Sequence, residues 1–143
     1  MKEPVRHERS MMNSTDETVI IVDDDPSVRK SLIRLLRSTG IRAEAYASAR
    51  EFLARLPLDG KSCAILDMTL PDTTGLELWD QMAAQGFLIP TIFLTGGGDS
   101  VLRAERNWEE NVVDFLTKPV DSTVLLNAVR LALSRPAPKD GQQ

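Results

Sequence analysis

The sequence predicts an α/β protein built on a doubly wound, five-stranded parallel sheet. Three observations predict it. Five strand-like segments alternate strictly with helical patterns. Four of these segments are apolar at nearly every residue, as strands are when helices cover both faces of a parallel sheet. Their carboxyl ends collect aspartates, a threonine and a lysine, and ligands of such sheets bind at that edge.

The elements follow in order. Residues 1–17 are polar and charged with no apolar period, which predicts a disordered arm; Met11 and Met12 near its end are candidate starts. Thr18–Val22, "TVIIV", reads as a strand buried on both faces. Asp25 is placed to cap a helix that opens on Pro26, carries Val28, Leu32, Leu35 and Leu36 inward, and ends at Gly40. Ile41–Tyr46 is a more polar strand, which suits an edge. "SARE", Ser48–Glu51, matches a capping box and opens a short helix through Phe52 and Leu56. Cys63–Leu66 is a buried strand that stops at Asp67, with Cys63 as a core residue. After Pro71 and Gly75 a helix carries Leu76, Leu78, Trp79 and Met82, so Trp79 is expected to pack. Thr91–Leu94 is the fourth strand, broken by "TGGGD". Val101–Glu110 is a polar helix with a weak pattern. Val112–Leu116 is the fifth strand, ending at "TKP". Asp121 caps a last helix whose inward stripe is Val124, Leu125, Ala128, Val129 and Ala132. A folded domain over 18–134 and a flexible tail over 135–143 are expected.

The 143 residues suit one domain with its own core. A net charge of −4 gives no general electrostatic footprint for nucleic acid. No 18-residue apolar stretch and no signal-peptide core is visible, so no membrane association and a cytoplasmic location are expected. A histidine–cysteine metal cage is excluded, because the only histidine, His7, lies in the arm, far in sequence from the only cysteine, Cys63.

The strand ends carry the chemistry. Asp23 and Asp24 follow the first strand and have no capping role. Beside Asp67 they would repel and raise one another's pKa in a partly dry pocket. A hard divalent cation removes that conflict, and Mg²⁺ takes one or two carboxylates together with phosphate oxygens. Lys118 and Thr95 are superfluous for a metal alone; a point charge and a hydroxyl suit a phosphoryl group. The atom to be activated is then a carboxylate oxygen of Asp67, acting as nucleophile to form an aspartyl phosphate.

Four stretches, "IVDDDPSVRKSL", "AILDMTLPDTTGLEL", "IFLTGGGD" and "VVDFLTKPV", resemble the receiver domain of two-component response regulators, closest to receivers of nitrogen-fixation-type (FixJ-like) regulators. They span about Val19 to Leu133. The resemblance implies a flavodoxin-like (βα)5 receiver fold. It implies Asp67 as phosphoacceptor, Asp24 as a direct Mg²⁺ ligand, Asp23 as one acting more through water, and the backbone carbonyl of Thr69 as a further ligand. It implies that Thr95 contacts the phosphoryl group, that Lys118 precedes a cis bond to Pro119, and that Phe115 changes rotamer on phosphorylation. The implied partners are a sensor histidine kinase or phosphotransfer protein, and a downstream target or a second copy bound through the fourth helix, fifth strand and last helix. The chain departs from the family pattern before the fifth strand, with Asn111 where glycine is expected and one extra residue after Asp99. Trp108 and its charged neighbours set that helix apart, and partner contacts are not carried over to it.

Rival functions make distinct demands. A Mg²⁺-dependent phosphohydrolase with an aspartyl nucleophile needs an acid two residues further on, where this chain has Thr69. A flavin mononucleotide binder needs a phosphate loop after the first strand, where three aspartates would repel phosphate. Gly96–Gly98 does not form a dinucleotide loop, since no G-x-G-x-x-G follows the first strand. A stand-alone receiver that catalyses only its own phosphorylation and dephosphorylation is expected; the alternative is the N-terminal receiver of a DNA-binding transcriptional regulator.

Overall fold

The computed structural model describes residues 17–58, 60–96 and 112–134. The expected arm up to residue 16, the polar helix Val101–Glu110 with Trp108, the glycines at 97 and 98, Asn111 and the tail lie outside the described residues. Five strands, β1 (Thr18–Val22), β2 (Arg42–Tyr46), β3 (Ser62–Asp67), β4 (Thr91–Thr95) and β5 (Val112–Thr117), pair in parallel in the order β2-β1-β3-β4-β5. The described helices are α1 (Pro26–Ser38), α2 (Ala49–Leu53), α3 (Gly75–Ala84) and α4 (Ser122–Ser134). This is the expected five-stranded parallel α/β architecture.

Strand composition decides position in the sheet. The strands with apolar interiors and polar residues only at their ends, β1, β3 and β4, are buried along their whole length and hold the centre. β2, with Arg42 and Glu44, lies at an edge. Alternation along each strand then divides the apolar side chains between two cores. Val19, Ile21, Cys63, Ile65, Ile92 and Leu94 meet α1 and α4 through Leu32, Leu36, Leu125 and Val129. Ile20, Val22, Ala64, Leu66 and Phe93 meet α2 and α3 through Phe52, Leu78, Trp79 and Met82. Each fully buried Val, Leu or Ile contributes roughly 1.5–3 kcal/mol of transfer free energy, so the sheet is held from both sides.

Local chemistry sets the ends. Asp25 is the N-cap of α1, its carboxylate accepting the Ser27 N–H at 2.9 Å, and Gly40 closes the helix at φ +84°. Asp121 accepts the N–H groups of Thr123 and Val124 at 2.9 and 3.1 Å and so caps α4. Two expectations are corrected: Val124, placed in the inward stripe of the last helix, lies exposed on α4 while Leu125, Ala128, Val129 and Ala132 face the core, and α2 ends at Leu53 rather than reaching Leu56. Pro57 follows Leu56, and a residue before proline is pushed out of helical conformation.

The winding creates the functional edge. The chain leaves β1 for β2 on one side and then returns to β3 on the other. The crevice at this reversal opens at the carboxyl ends of β1 and β3.

Candidate functional site

Parallel register carries the strand-end residues to one edge. Val22 pairs with Leu66, so Asp23 and Asp67 come next, side by side. Asp67 pairs with Leu94, which puts Thr95 one residue further on; Thr95 pairs with Thr117, and Lys118 follows. Asp23 is 0% exposed and Asp67 6%, whereas Asp24 is exposed. One carboxylate oxygen from each of the three lies within 4.8 Å of the others.

The Lys118 ammonium faces this cluster. Lys118 Nζ is 3.0 Å from Asp23 Oδ2 and 3.3 Å from Asp67 Oδ2. The other oxygens are tied locally: Asp23 Oδ1 accepts the Asp25 N–H at 3.0 Å, and Asp67 Oδ1 accepts the Thr69 N–H at 3.2 Å. Asp23 Oδ2 is within ion-pair distance of Lys118 but not aligned with it, and is a buried oxygen without a hydrogen-bond partner. Burial pushes the Asp67 carboxyl above its ordinary range; the Thr69 N–H opposes this, the Asp23 charge adds to it and Lys118 opposes it. For Lys118, burial pulls down, but the close carboxylate of Asp23, and then that of Asp67, outweigh it and leave the ammonium above its ordinary value.

The donor set fits a hard cation. All three side chains offer carboxylate oxygen, and Asp23 Oδ2, buried beside the Lys118 ammonium with no hydrogen bond made, is an acceptor that Mg²⁺ or its water would satisfy. Thr69 forms an antiparallel bridge with Thr74. The bonds that frame it, Leu70 N–H to Thr73 O and Gly75 N–H to Met68 O, each 3.0 Å, come from the neighbours and leave the Thr69 carbonyl outside the ladder.

Thr95 is buried at the end of β4, and its carbonyl accepts the Lys118 N–H at 2.9 Å. Phe115 is half-buried on the same sheet face and stacks on Phe93, with centroids 5.2 Å apart and an interplanar angle of 19°. Trp79 also meets Phe93, edge-on at 6.5 Å. The Lys118–Pro119 peptide bond is cis. The edge thus brings together Asp23, Asp24, Asp67 and Lys118, with Thr69 and Thr95 adjoining and Phe115 one step down the sheet.

Two residues of the site escaped the sequence reading. Arg29, one turn into α1, donates from Nη1 to the Asp23 carbonyl at 2.9 Å and pins the loop that carries the acidic pair. Gly75 packs against the last residue of β3, where a Cβ would overlap the Asp67 carbonyl oxygen. Gly75→Ala is therefore expected to destabilise the fold by about 1–3 kcal/mol through forced backbone displacement. Urea unfolding checks this; an unchanged midpoint would contradict the close approach.

Comparison with known proteins agrees with this geometry. The sequence profile described as the response regulator receiver domain matches residues 19–130. The chain is 42% identical over 122 residues to nodulation protein W of Bradyrhizobium diazoefficiens, covering 85% of this chain and 53% of that protein. It is 39% identical over 126 residues to the transcriptional regulatory protein FixJ of Azorhizobium caulinodans, covering 87% and 59%. The crystal structure of FixJ-N is similar at a TM-score of 0.72 and 32% identity, covering 86% of this chain and 98% of that one. The chain spans about half the length of the curated relatives it matches.

Proposed function

Because the chain belongs to the response regulator receiver domain family, we propose that it is the phosphorylation switch of a two-component phosphorelay, accepting a phosphoryl group on Asp67 from a histidine kinase or phosphotransfer protein in the cytoplasm. The observation that carries this reading is the pairing of a buried carboxylate, Asp67, with an ammonium 3.3 Å away inside an acidic cluster. A carboxylate oxygen of Asp67 attacks phosphorus, the bond from phosphorus to the donor breaks, and the donor leaves with the electron pair. Mg²⁺ bound by Asp24, Asp67 and the Thr69 carbonyl, and by Asp23 through water, would offset the negative charge of the carboxylates and of the phosphoryl oxygens. Lys118 supplies a point charge to a phosphoryl oxygen and Thr95 a hydroxyl donor. The chain would catalyse only its own phosphorylation and dephosphorylation. The folded unit is 18–134, between an arm and a tail. Incubation with Mg²⁺ and acetyl phosphate, followed by intact mass, is expected to show one added phosphoryl group, and none in EDTA. Full labelling in EDTA would contradict the metal reading.

Signalling follows from a shift in surface shape. Phosphorylation brings charge and acceptor oxygens to Asp67, and Thr95 moves toward them. Phe115, diagonal to Thr95 across the β4–β5 pair, turns into the space behind it. The changed face includes β5 and α4, where Val124 and Leu131 expose apolar surface to a protein target or a second copy; the fourth helix that the family resemblance adds to it lies outside the described residues. This domain makes no nucleic-acid contact in this reading, in keeping with its net charge of −4. A ~100-fold shift needs about 2.7 kcal/mol, within reach of charge-assisted hydrogen bonds. Thr95→Ala is expected to keep the label on Asp67 and lose the response. With Trp108 replaced by Phe, Trp79 alone reports through Phe93; a fluorescence change as large as the parent's in the Thr95→Ala protein would contradict the relay.

A second reading has its own support. The chain spans 59% of a relative that is a transcriptional regulatory protein, so the same switch would also serve as the receiver of a longer DNA-binding regulator. The intact mass of the protein from its native cells discriminates between the two.

A further inference from the structure

We propose that Asp72 is a positioning residue for the metal site, its carboxylate tying the loop 68–75 to the N-terminus of α2 and so holding the Thr69 backbone. The proposal rests on the reading of the Thr69 carbonyl as a Mg²⁺ ligand.

The first N–H groups of any helix lack partners within it. In α2 the local sequence satisfies only some of them. Ser48 Oγ accepts the Glu51 N–H at 3.2 Å, and the Ser48 carbonyl accepts that of Phe52 at 3.3 Å. Glu51 reaches back to the Ala47 N–H at 3.1 Å, one residue short of the helix N-cap. The N–H groups of Ala49 and Arg50 remain. Asp72 takes both, one on each oxygen: Oδ1 from Ala49 at 3.1 Å and Oδ2 from Arg50 at 2.9 Å. The Arg50 N–H, and after it the Ala49 N–H, hold the Asp72 carboxyl below the usual range.

The loop has reason to need this tie. Its stem is fixed on the sheet side: Met68 and Leu70 are buried, and the Gly75 N–H bonds the Met68 carbonyl. Its tip, Pro71 and Asp72, is exposed. Within the stem, flanked by Met68 and Leu70, lies Thr69, whose N–H holds Asp67 Oδ1. Asp72 is thus the outer anchor of a short span with the nucleophile at one end and the candidate carbonyl ligand within it. A bidentate, charge-assisted contact to backbone fixes both position and orientation. Partners that orient a ligand set metal affinity even without touching the metal.

The test is Mg²⁺ titration of the full chain, followed by the amide resonances of Asp67 and Thr69. Asp72→Ala is expected to weaken Mg²⁺ binding roughly tenfold, and Asp72→Asn, which keeps one acceptor oxygen, by less. Ser48→Ala removes a cap from the same helix without touching the loop, and its affinity should stay within about twofold of the parent. At saturating Mg²⁺ the acetyl phosphate labelling rate of Asp72→Ala should return to that of the parent, a recovery that a general loss of structure would not show. Unchanged affinity in Asp72→Ala, equal weakening in Ser48→Ala, or a rate that stays low at saturating Mg²⁺ would each overturn the role of Asp72 alone. If the parent itself bound no Mg²⁺, the metal reading would fall, and this inference with it.

Discussion

Asp67→Asn is expected to abolish phosphoryl addition and, at the same time, to stabilise the metal-free fold. The parent should gain about 80 Da, one phosphoryl unit, under Mg²⁺ and acetyl phosphate; the variant should gain nothing, because an amide oxygen is a poor nucleophile. The stability effect has a pH signature. Burial raises the Asp67 carboxyl in the folded state from 3.8, so ionising it opposes folding. That cost is absent below the unfolded value near 3.8. It grows as pH rises through the raised folded value and is complete above it. Asparagine carries no such cost. The gain of the variant over the parent should therefore vanish in acid and be full at neutral pH, where each 1 kcal/mol reads as roughly 4 °C in melting temperature. Melting curves in EDTA across that range check it. A variant that is less stable than the parent at neutral pH, or that still takes the label, contradicts the assignment.

Lys118→Ala is expected to have the opposite effect on stability. It removes the ammonium and leaves Asp23, 0% exposed, and Asp67, 6% exposed, facing one another without it. Breaking a buried pair from one side costs several kcal/mol; with the lysine side chain 29% exposed, the lower end applies, about 3 kcal/mol. Mg²⁺ should recover part of that loss, since it replaces the missing counter-charge. Phosphorylation should stay slow even so, by roughly 10²-fold, because a positioned charge on the transferring group is lost. Urea unfolding in EDTA and in Mg²⁺, together with labelling rates, separates the two effects. Equal stability of variant and parent in EDTA would contradict the pairing.

What was legible in the sequence follows from the physics of each feature. Apolar runs announce buried strands, so β1, β3 and β4 were visible, as was the edge character of β2 in its Arg42 and Glu44. Caps are local, so Asp25, Ser48 and Asp121 could be read within three residues of the N–H groups they bind. The cluster was legible because a parallel sheet sends every strand's carboxyl end to one side; residues far apart in sequence had to converge there. The features that were missed depend on the path of the chain between elements. Gly75 read as a turn residue, while its requirement is the carbonyl of Asp67. Arg29 carries no local signal, because its partner is the Asp23 carbonyl in the loop before the helix. Asp72 bonds amides 22 and 23 residues away, a distance that no local motif encodes. α2 stops at Leu53, short of Leu56, and Pro57 just beyond disfavours helical backbone at Leu56.

The most direct measurement locates the modification. After incubation with Mg²⁺ and acetyl phosphate, the chain is reduced with borohydride, which converts an aspartyl phosphate to homoserine, and its peptides are sequenced. The account predicts homoserine at position 67 and unmodified aspartate at 23, 24 and 25. Homoserine at any of those three with position 67 intact, or no conversion in a chain that binds Mg²⁺, would contradict it.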